Sequence, residues 1–389
     1  MASTDSLLRL NHLELKNWRN FRSVDIDIAD RLFIIGPNAS GKSNLIDALR
    51  FLRELTIDGG GLQQAVLDRG GISRIRNLAS RNFNGSRVTL GVSITDENDS
   101  WEYSLTLATE PRGRRRPVIF SEQVKLNGDY ILDRPDSDDR QDDERLTQTA
   151  LEQVNANRDF RPVSDFLNST LYLHLVPQII RDPDRAGDRI GDPFGADFLS
   201  RVAKTNKRER ERRLRIINQA LRSVVPQLEE LKLAMDIDGR PHLEARYQHW
   251  RQQGAHQNEA DFSDGTLRLI GLIWSLQERG RMNGPILLEE PELSLHEEIV
   301  RRLPSLLYQA TKGSRRQVLA TTHALHILDD PGLGMNEVVV LTPGEEGTIA
   351  EPSSSKADVK SKWESGLTLH ESLADKLVPE HINELLTLF

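Results

Sequence analysis

An eight-residue motif near the start of the chain constrains its fold more than any other feature. Residues 36–43 read Gly-Pro-Asn-Ala-Ser-Gly-Lys-Ser and match the phosphate-binding P-loop pattern at every defined position. The apolar run Arg31 to Ile35 before the motif predicts a buried strand, and Asn44 to Leu52 has helical apolar spacing. Strand, loop and helix in this order disfavour the alternative of a chance glycine-rich turn. The chain is therefore predicted to bind a nucleoside triphosphate.

The P-loop residues have distinct predicted roles. Backbone N–H groups of the loop and of the helix start converge on one point, where they bind anionic phosphate oxygens. We expect Lys42 to reach the β- and γ-phosphates and the Ser43 hydroxyl to ligate Mg²⁺. The residues predicted to hold the nucleotide in this segment are Gly36, Pro37, Asn38, Ala39, Ser40, Gly41, Lys42, Ser43 and Asn44.

Composition excludes several kinds of protein. The chain has 389 residues and a net charge of −8, so any nucleic-acid contact needs a local basic patch. It has no cysteine, which excludes disulfides, cysteine zinc sites and thiol nucleophiles. No run approaches the roughly 18–20 apolar residues that span a bilayer, and residues 1–11 do not resemble a signal peptide. We expect a soluble, cytoplasmic protein without a membrane partner.

Hydrophobic periodicity predicts a mixed α/β chain. Predicted strands cover residues 10–15, 23–28, 88–94, 101–107, 118–126, 129–132, 231–237 and 242–250. Predicted helices cover residues 145–168, 196–225, 267–278, 367–376 and 379–388. The predicted domains are an N-terminal ATPase lobe (1–132), a charged and mainly helical insertion (133–254), a C-terminal ATPase lobe (255–345) and a helical tail (346–389).

Two charged segments each allow two interpretations. Residues 133–144 contain seven acids, which favour a solvated loop over a metal site because the spacing lacks the central glycine of a calcium loop. Residues Arg201 to Arg215 contain eight basic residues against two glutamates. This second segment is either a DNA-phosphate patch or a solvated helix face.

Two adjacent carboxylates end a short apolar strand that runs from Pro285 to Glu290. Successive side chains of a strand point to opposite sides, so one carboxylate can reach Mg²⁺ while the other polarises a water molecule. Phosphoryl transfer to water needs both functions. Glu289 is therefore the candidate Mg²⁺ ligand, and Glu290 is the candidate that positions the attacking water. An ordinary acidic cluster at a helix N-terminus is disfavoured behind a P-loop.

A second strand end and a helix start complete the predicted site. The apolar strand from Gln317 ends in hydroxyls and His323; a lone histidine is more often structural, but this position favours contact with the γ-phosphate. Ser263, Asp264 and Gly265 open a helix, and a helix N-terminus attracts anions. The candidate catalytic residues are thus Glu290, His323 and Lys42.

The motif order resembles the ATP-binding-cassette ATPases, and more closely the RecF, SMC and OLD branch of that class. The resemblance rests on Asn17 to Phe21, the P-loop with Asn44, Phe262 to Thr266, Glu289 to Glu292 followed by Leu295-His296, and Thr321 to His323. It implies an α/β P-loop fold of ABC-ATPase type, with a mixed sheet flanked by helices and an inserted subdomain. It also implies hydrolysis of ATP with Mg²⁺.

The same resemblance implies a head-to-tail homodimer with ATP between the two copies. The P-loop of one copy would face Ser263, Asp264 and Gly265 of the other, and Arg19 would lie near the base. Gln63 or Gln64 would couple Mg²⁺ to the inserted domain. Hydrolysis would report dimer closure.

Departures from the family pattern narrow the function. Asp264 stands where transporters have glycine, Glu289 replaces the commoner aspartate, and no long heptad run separates the motif blocks. The segment after His323 is too short for the Toprim nuclease domain of OLD enzymes. We expect a stand-alone ATPase that switches a separately encoded nuclease or effector in anti-phage defence or DNA maintenance. The alternative is a RecF-like DNA-binding clamp in repair; a scaffold that does not hydrolyse ATP is disfavoured by Glu290 and His323.

Overall fold

The computed structural model describes residues 7–57, 59–77, 87–110, 115–182, 192–248, 255–278 and 283–377. The chain divides into two compact units. The first contains Met1–Leu171, Gly280–Leu287 and Arg315–Phe389, and the second contains Tyr172–Arg279 and Leu288–Ser314. The domain boundaries predicted from the sequence remain a prediction.

An antiparallel sheet forms one layer of the first unit. Its strands are β1 (Arg9–Trp18), β2 (Phe21–Asp27), β4 (Val88–Thr95), β5 (Ser100–Thr109), β6 (Pro117–Leu126) and β7 (Asp129–Arg134). They are ordered β2-β1-β4-β5-β6-β7. Alternate side chains such as Leu13, Leu15 and Leu105 are buried, because one face of the sheet packs on the core. All six strands lie where the sequence predicted them.

A mixed sheet carries the P-loop. Its strands are β3 (Arg31–Ile35), β8 (Leu171–Leu173), β12 (Ile286–Glu289), β13 (Val318–Thr322), β14 (Val338–Thr342) and β15 (Ile349–Pro352), ordered β15-β14-β3-β13-β12-β8. β3 pairs in parallel with β13 and β14, and β15 is antiparallel to β14. Every residue of β3 and β13 is buried, as expected for central parallel strands.

The helices of the first unit differ from the sequence prediction over residues 145–168. They are α1 (Lys42–Glu54), α2 (Leu62–Asp68), α3 (Ile72–Ile75), α4 (Arg161–Asn168), α11 (Ala357–Glu364) and α12 (Leu369–Leu377). The single helix predicted over residues 145–168 is wrong: only α4 is α-helical, after two 3₁₀ helices, Asp143–Thr147 and Arg158–Phe160. Pro162 sits in the first turn of α4, where its missing N–H is tolerated, and it therefore marks the helix start. The helix predicted over 379–388 lies outside the described residues.

Within its described residues, the second unit contains a three-stranded sheet and six α-helices. The sheet is ordered β11-β10-β9, with β9 (Leu228–Met235), β10 (Pro241–Tyr247) and β11 (Ala255–Asn258). The helices are α5 (Pro177–Arg181), α6 (Phe198–Lys204), α7 (Lys207–Arg222), α8 (Asp264–Leu276), α9 (Glu297–Val300) and α10 (Leu303–Thr311). The helix predicted over 196–225 is in fact α6 and α7. The break follows from Asn206, whose side chain accepts a hydrogen bond from Arg208 N and caps α7. Across the described ranges of both units, no helix is long and apolar enough to cross a membrane.

The acidic segment 133–144 is only partly a solvated loop. Asp138 and Glu144 are exposed, but the Asp139 side chain is completely buried and forms two 2.9 Å hydrogen bonds with the Arg134 guanidinium. Arg134 also donates to buried Glu122 at 2.9 Å. The Arg134 hydrogen bonds hold the pKa of Asp139 well below its usual range. The prediction of a uniformly solvated loop is therefore wrong for Asp139, because a buried guanidinium compensates its charge.

Candidate nucleotide-binding site

The P-loop follows β3 and leads directly into α1. Gly41 has φ of 97°, a left-handed conformation that favours glycine. A Cβ at Gly41 would come within 2.1 Å of the Asn20 side chain, and one at Gly36 would lie 2.8 Å from the Leu341 carbonyl oxygen. The loop is thus packed so closely that both positions require glycine. Asn38, Ala39 and Ser43 are exposed on the same loop and helix start.

Strand register brings Lys42 and His323 together. β13 runs parallel to β3 and Thr322 pairs with Ile35, so His323 and Gly36 leave the sheet at the same edge. Lys42 Nζ lies 3.2 Å from His323 Nδ1 and donates to the Gly36 carbonyl oxygen at 2.8 Å. Lys42 is only 5% exposed. Two of the predicted catalytic residues, buried Lys42 and exposed His323, are therefore in contact at the P-loop.

The loop has features that fit an anionic ligand. Ser40 Oγ is buried and has no hydrogen-bond partner among the described residues, and a buried polar atom of this kind is costly unless something satisfies it. The Ser40 carbonyl instead accepts a 2.7 Å hydrogen bond from Asn20 Nδ2. Asn20 Oδ1 accepts from Asn44 at 2.8 Å. Asn20 thus ties the β1–β2 turn to the second half of the motif and to the first turn of α1, and its role is not apparent from the sequence.

An ion-pair cluster supports the helix that follows the P-loop. Asp47 of α1 accepts hydrogen bonds from Arg19 at 2.7 Å and from Arg69 at 2.7 Å. Burial alone would raise the pKa of Asp47, but the hydrogen bond and charge of Arg69, with those of Arg19, lower it below its usual value. Arg69 also pairs with Glu54. Arg19, which is predicted to lie near the base of the nucleotide, is therefore held against α1.

An open cleft of about 830 Å³ adjoins the start of α1. Its lining includes Arg19, Arg69, Arg74, Arg76, Asn20, Asn44 and Glu345. Guanidinium groups stack on aromatic rings and bind phosphates. The cleft is therefore suited to an anionic ligand that carries a ring.

Both candidate glutamines donate hydrogen bonds to neighbouring groups of the first unit. Gln63 Nε2 donates to the carbonyl oxygens of Thr147 at 2.8 Å and Pro117 at 3.0 Å. Gln64 Nε2 donates to Asp68 Oδ1 at 2.6 Å, within α2. The amide of Gln63 joins α2 to β6 and to the 3₁₀ helix Asp143–Thr147, and a role in coupling Mg²⁺ remains a prediction.

In the second unit, Glu289 ends β12 and contacts His174. His174 Nδ1 lies 2.9 Å from Glu289 Oε2, and the Glu289 side chain is 11% exposed. Glu290 adopts φ of 44°, and its carbonyl accepts a 3.3 Å hydrogen bond from buried Arg268 of α8. This left-handed conformation is costly for a residue other than glycine, which indicates that the backbone after β12 is held in place by its surroundings.

The Ser263-Asp264-Gly265 segment starts α8. Ser263 Oγ accepts from Thr266 N at 3.1 Å, so Ser263 is the N-cap. Asp264 is paired with Arg181 at 2.6 Å. A Cβ at Gly265 would lie 2.3 Å from the Ser294 carbonyl oxygen. The glycine therefore allows the helix start to pack against the loop that follows Glu290.

Comparison with known proteins identifies the family. Residues 32–329 match the family described as "AAA domain, putative AbiEii toxin, Type IV TA system". The chain belongs to this AAA family. Residues 10–52 also match the "P-loop containing region of AAA domain". The prediction of a P-loop ATPase is confirmed by both matches, and the strand order confirms the α/β fold with a mixed sheet. The predicted resemblance to RecF and SMC proteins is confirmed by the relatives of this chain.

Curated relatives of this AAA-family chain are RecF and Smc proteins. The DNA replication and repair protein RecF of Corynebacterium jeikeium is 23% identical over 300 residues, 73% of this chain and 65% of the relative. RecF of Acaryochloris marina is 28% identical over 123 residues, 31% of this chain. The chain covers 29% of the length of that relative. The chromosome partition protein Smc of Methanocaldococcus jannaschii is 43% identical over 47 residues, 12% of this chain and 4% of the relative.

The chain is also similar to solved SMC head domains. The SMC head domain of Thermotoga maritima has 17% identity and a TM-score of 0.48, covering 88% of this chain and 98% of that chain. The Smc head domain with a coiled coil and joint from Pyrococcus yayanosii has 13% identity and a TM-score of 0.49, covering 95% of this chain and 99% of that chain.

The basic segment of the AAA-family chain is largely engaged in internal contacts. Arg201 pairs with Asp197 and Glu278, and Arg212 and Arg213 both pair with Glu209. Arg210 donates to the carbonyl oxygens at the end of α6. The basic residues of this segment that are exposed are Lys204, Lys207, Arg208 and Arg215. The segment therefore offers a smaller basic surface than its composition indicates.

Proposed function

We propose that this AAA-family chain is a Mg²⁺-dependent ATPase whose two copies close around ATP and whose state controls a separately encoded effector. The contact between Lys42 Nζ and His323 Nδ1, 3.2 Å long, carries the proposal. It puts a cation that binds phosphate beside an imidazole at the end of the neighbouring strand. A γ-phosphate held by Lys42 would lie within reach of His323, which is how a site can sense whether that phosphate is present.

The remaining roles are assigned by residue. The Ser43 hydroxyl and the Glu289 carboxylate are the proposed ligands of Mg²⁺, which when bound neutralises charge on the phosphate oxygens. The Glu290 carboxylate accepts a hydrogen bond from the attacking water and orients it. His174 positions Glu289 through its 2.9 Å contact.

The arginine-lined cleft is the proposed place of the nucleotide base. Arg19 and Asn44 both line this cleft of about 830 Å³, and Asn44 follows the P-loop serine directly. Phosphates bound at the loop would therefore leave the ribose and base beside α1. Stacking of a guanidinium on the adenine ring would contribute to affinity.

The α8 start is the proposed contact to ATP held by a second copy. Ser263 is exposed, and it begins a helix of 13 residues whose N-terminus attracts anions. Asp264 and Gly265 would approach the same nucleotide. Dimer closure around ATP would then bury the γ-phosphate, so that hydrolysis releases the two copies.

A role in anti-phage defence or DNA maintenance is the proposed context. The family description names a toxin of a type IV toxin–antitoxin system, which supports an effector controlled by a partner. A nuclease or toxin chain that binds only the ATP-closed dimer would be switched by hydrolysis.

ATP turnover tests the enzyme part of this proposal. Purified wild type should hydrolyse ATP with Mg²⁺, and Glu290→Gln should lose about 10²-fold or more in turnover while still binding ATP. Glu298→Gln, an exposed glutamate on α9, is the matched control and should keep wild-type turnover. Absence of Mg²⁺-dependent hydrolysis in wild type above the Glu290→Gln level would refute the enzymatic function.

Size-exclusion chromatography with light scattering tests the dimer. Glu290→Gln with ATP and Mg²⁺ should elute as a dimer, and Ser263→Ala combined with Glu290→Gln should shift it towards monomer. Glu290→Gln that stays monomeric at saturating ATP would contradict closure around the nucleotide. Pull-down from the source cells with the trapped dimer then identifies the effector.

A RecF-like DNA-binding role is the second candidate, favoured by the RecF relative that matches 73% of this chain. Exposed Lys204, Lys207, Arg208 and Arg215 are the residues of the basic segment that remain suited to contact phosphates. Alanine at all four should lower the slope of log K against log salt by up to about 4 if each contacts one phosphate. An unchanged slope removes this surface from DNA binding.

A further inference from the structure

Two histidines and an aspartate from separate parts of the chain converge on one spot of the first unit. His326 and Asp329 lie in the 3₁₀ helix Leu325–Asp329, and His370 lies in α12. Asp329 Oδ1 is 2.8 Å from His370 Nδ1, and Asp329 Oδ2 is 3.3 Å from His326 Nδ1. One candidate ligand atom from each of the three side chains lies within 4.8 Å of the others. Each carboxylate oxygen thus faces a different imidazole.

The two imidazole rings meet edge to face rather than in a parallel stack. Their centroids are 5.4 Å apart and their planes are 85° apart, so the rings approach from nearly perpendicular directions. In a tetrahedral zinc site, ligand atoms bonded at about 2.0–2.1 Å from the ion lie about 3.3–3.4 Å from one another. Ligand atoms up to 4.8 Å apart would therefore approach one another by about 1.4 Å to bind one ion. All three are partly exposed, from 17% for Asp329 to 41% for His326, so an ion has access.

The ligand type selects the class of ion. Two imidazoles with one carboxylate suit zinc and its first-row neighbours, whereas Mg²⁺ and Ca²⁺ prefer oxygen ligands. Three protein ligands leave a fourth position of a tetrahedral ion for water. The site is therefore distinct in chemistry from the Mg²⁺ site proposed at Ser43 and Glu289.

The cluster joins α12 to the 3₁₀ helix Leu325–Asp329, which is the turn that follows His323. His326 follows His323 by three positions, and His370 is 41 residues from Asp329. Around the cluster, Leu369 and Leu373 of α12 and Ile327 and Leu328 of the turn are buried. The elements are thus already in apolar contact before any ion binds, and an ion would add a bond between them at the polar edge of that contact.

We propose that His326, Asp329 and His370 form a binding site for a divalent transition-metal ion of the zinc type, which fastens α12 to the turn that follows His323. The ion is structural in this role and is separate from the ATP reaction. Its binding lowers the freedom of α12 relative to the turn, because ligands from both elements share one ion.

Titration of metal-free full-length protein tests the site. Isothermal calorimetry with Zn²⁺ should show one strong site, and Co²⁺ should give the visible absorption of a tetrahedral ion with nitrogen and oxygen ligands. Mg²⁺ in excess should not compete. His370→Ala should weaken Zn²⁺ binding by at least roughly tenfold. Removal of a residue that only hydrogen-bonds to a metal ligand already lowers metal affinity by about tenfold or more, and His370 is itself a proposed ligand.

Two variants keep the test decisive. His370→Asn retains a donor for the Asp329 hydrogen bond and so preserves packing, but it removes the imidazole and should also lose the strong site. His12→Ala is the matched control, because His12 contacts Asp25 at 3.2 Å and Asp27 at 2.9 Å and supplies only one imidazole. Retention of strong binding by folded His370→Asn, its loss in His12→Ala, or the absence of a strong Zn²⁺ site in wild type would each overturn the proposal.

Discussion

The imidazole of His174 contacts the carboxylate of Glu289, with 2.9 Å between His174 Nδ1 and Glu289 Oε2. The two residues are 115 positions apart in the chain. A hydrogen bond of this kind orients a carboxylate that has a metal to bind. His174 is thereby a positioning residue for the proposed Mg²⁺ ligand, and it has no motif of its own in the sequence.

Replacement of His174 tests this positioning role. His174→Ala should raise the Mg²⁺ concentration needed for half-maximal ATP turnover by about 10–100-fold, the range found when an outer partner of a metal ligand is removed. His174→Asn, which can still donate to Glu289, should recover much of the loss. Mg²⁺ titration of steady-state ATPase rates measures both. Equal Mg²⁺ dependence in all three proteins would show that the contact is only structural.

His323→Ala should lower kcat by about 10²-fold, the usual scale for one preorganised donor to the transition state. The KM for ATP should change little, because Lys42 and the loop N–H groups still bind the phosphates. Lys42→Ala, by contrast, should weaken ATP binding itself. Kinetics with fluorescent-nucleotide titration separate the two effects. A rise in KM without a fall in kcat for His323→Ala would contradict a role in sensing the γ-phosphate.

Arg134→Ala should destabilise the first unit by about 3–5 kcal/mol, because it leaves buried Glu122 without a counter-charge and leaves Asp139 with only its contact to exposed Arg145. Urea unfolding followed by circular dichroism measures the change. Lys125→Ala is the matched control: Lys125 pairs with Glu102 on the surface at 3.1 Å, so its loss should cost less than about 1 kcal/mol. Equal effects of the two substitutions would argue against a buried network.

The raised pKa of Glu152 should make the free energy of unfolding depend on pH. Burial raises its pKa to about 7 from an ordinary 4.5, although Leu62 N and Thr149 N donate to its carboxylate. Because the pKa of Glu152 is higher in the folded than in the unfolded state, its protonated carboxyl group stabilises the folded state below pH 4.5. This contribution to the free energy of unfolding is lost as the pH rises to about 7. The free energy of unfolding of Glu152→Gln should therefore rise relative to wild type between these pH values. A constant difference across that range would refute the raised pKa.

Local sequence was sufficient for the nucleotide motif and the strands around it. The P-loop, its buried strand and its helix depend on neighbouring residues, and two-residue alternation placed the antiparallel sheet. The helix over 145–168 was wrong because apolar spacing alone did not account for the start set by Pro162. The prediction that Asp139 is exposed to solvent was wrong, because a run of acidic residues does not show that Arg134 pairs with one of them.

The sequence by itself determined that this chain has a P-loop, two carboxylates at one strand end and a histidine at another. Only the tertiary structure decided which side chains meet: Lys42 with His323 over 281 positions, and His174 with Glu289 over 115. Motifs depend on short-range backbone geometry, which local residues specify. Pairings between distant residues depend on strand register and on burial of charge, and these arise only when the whole chain packs.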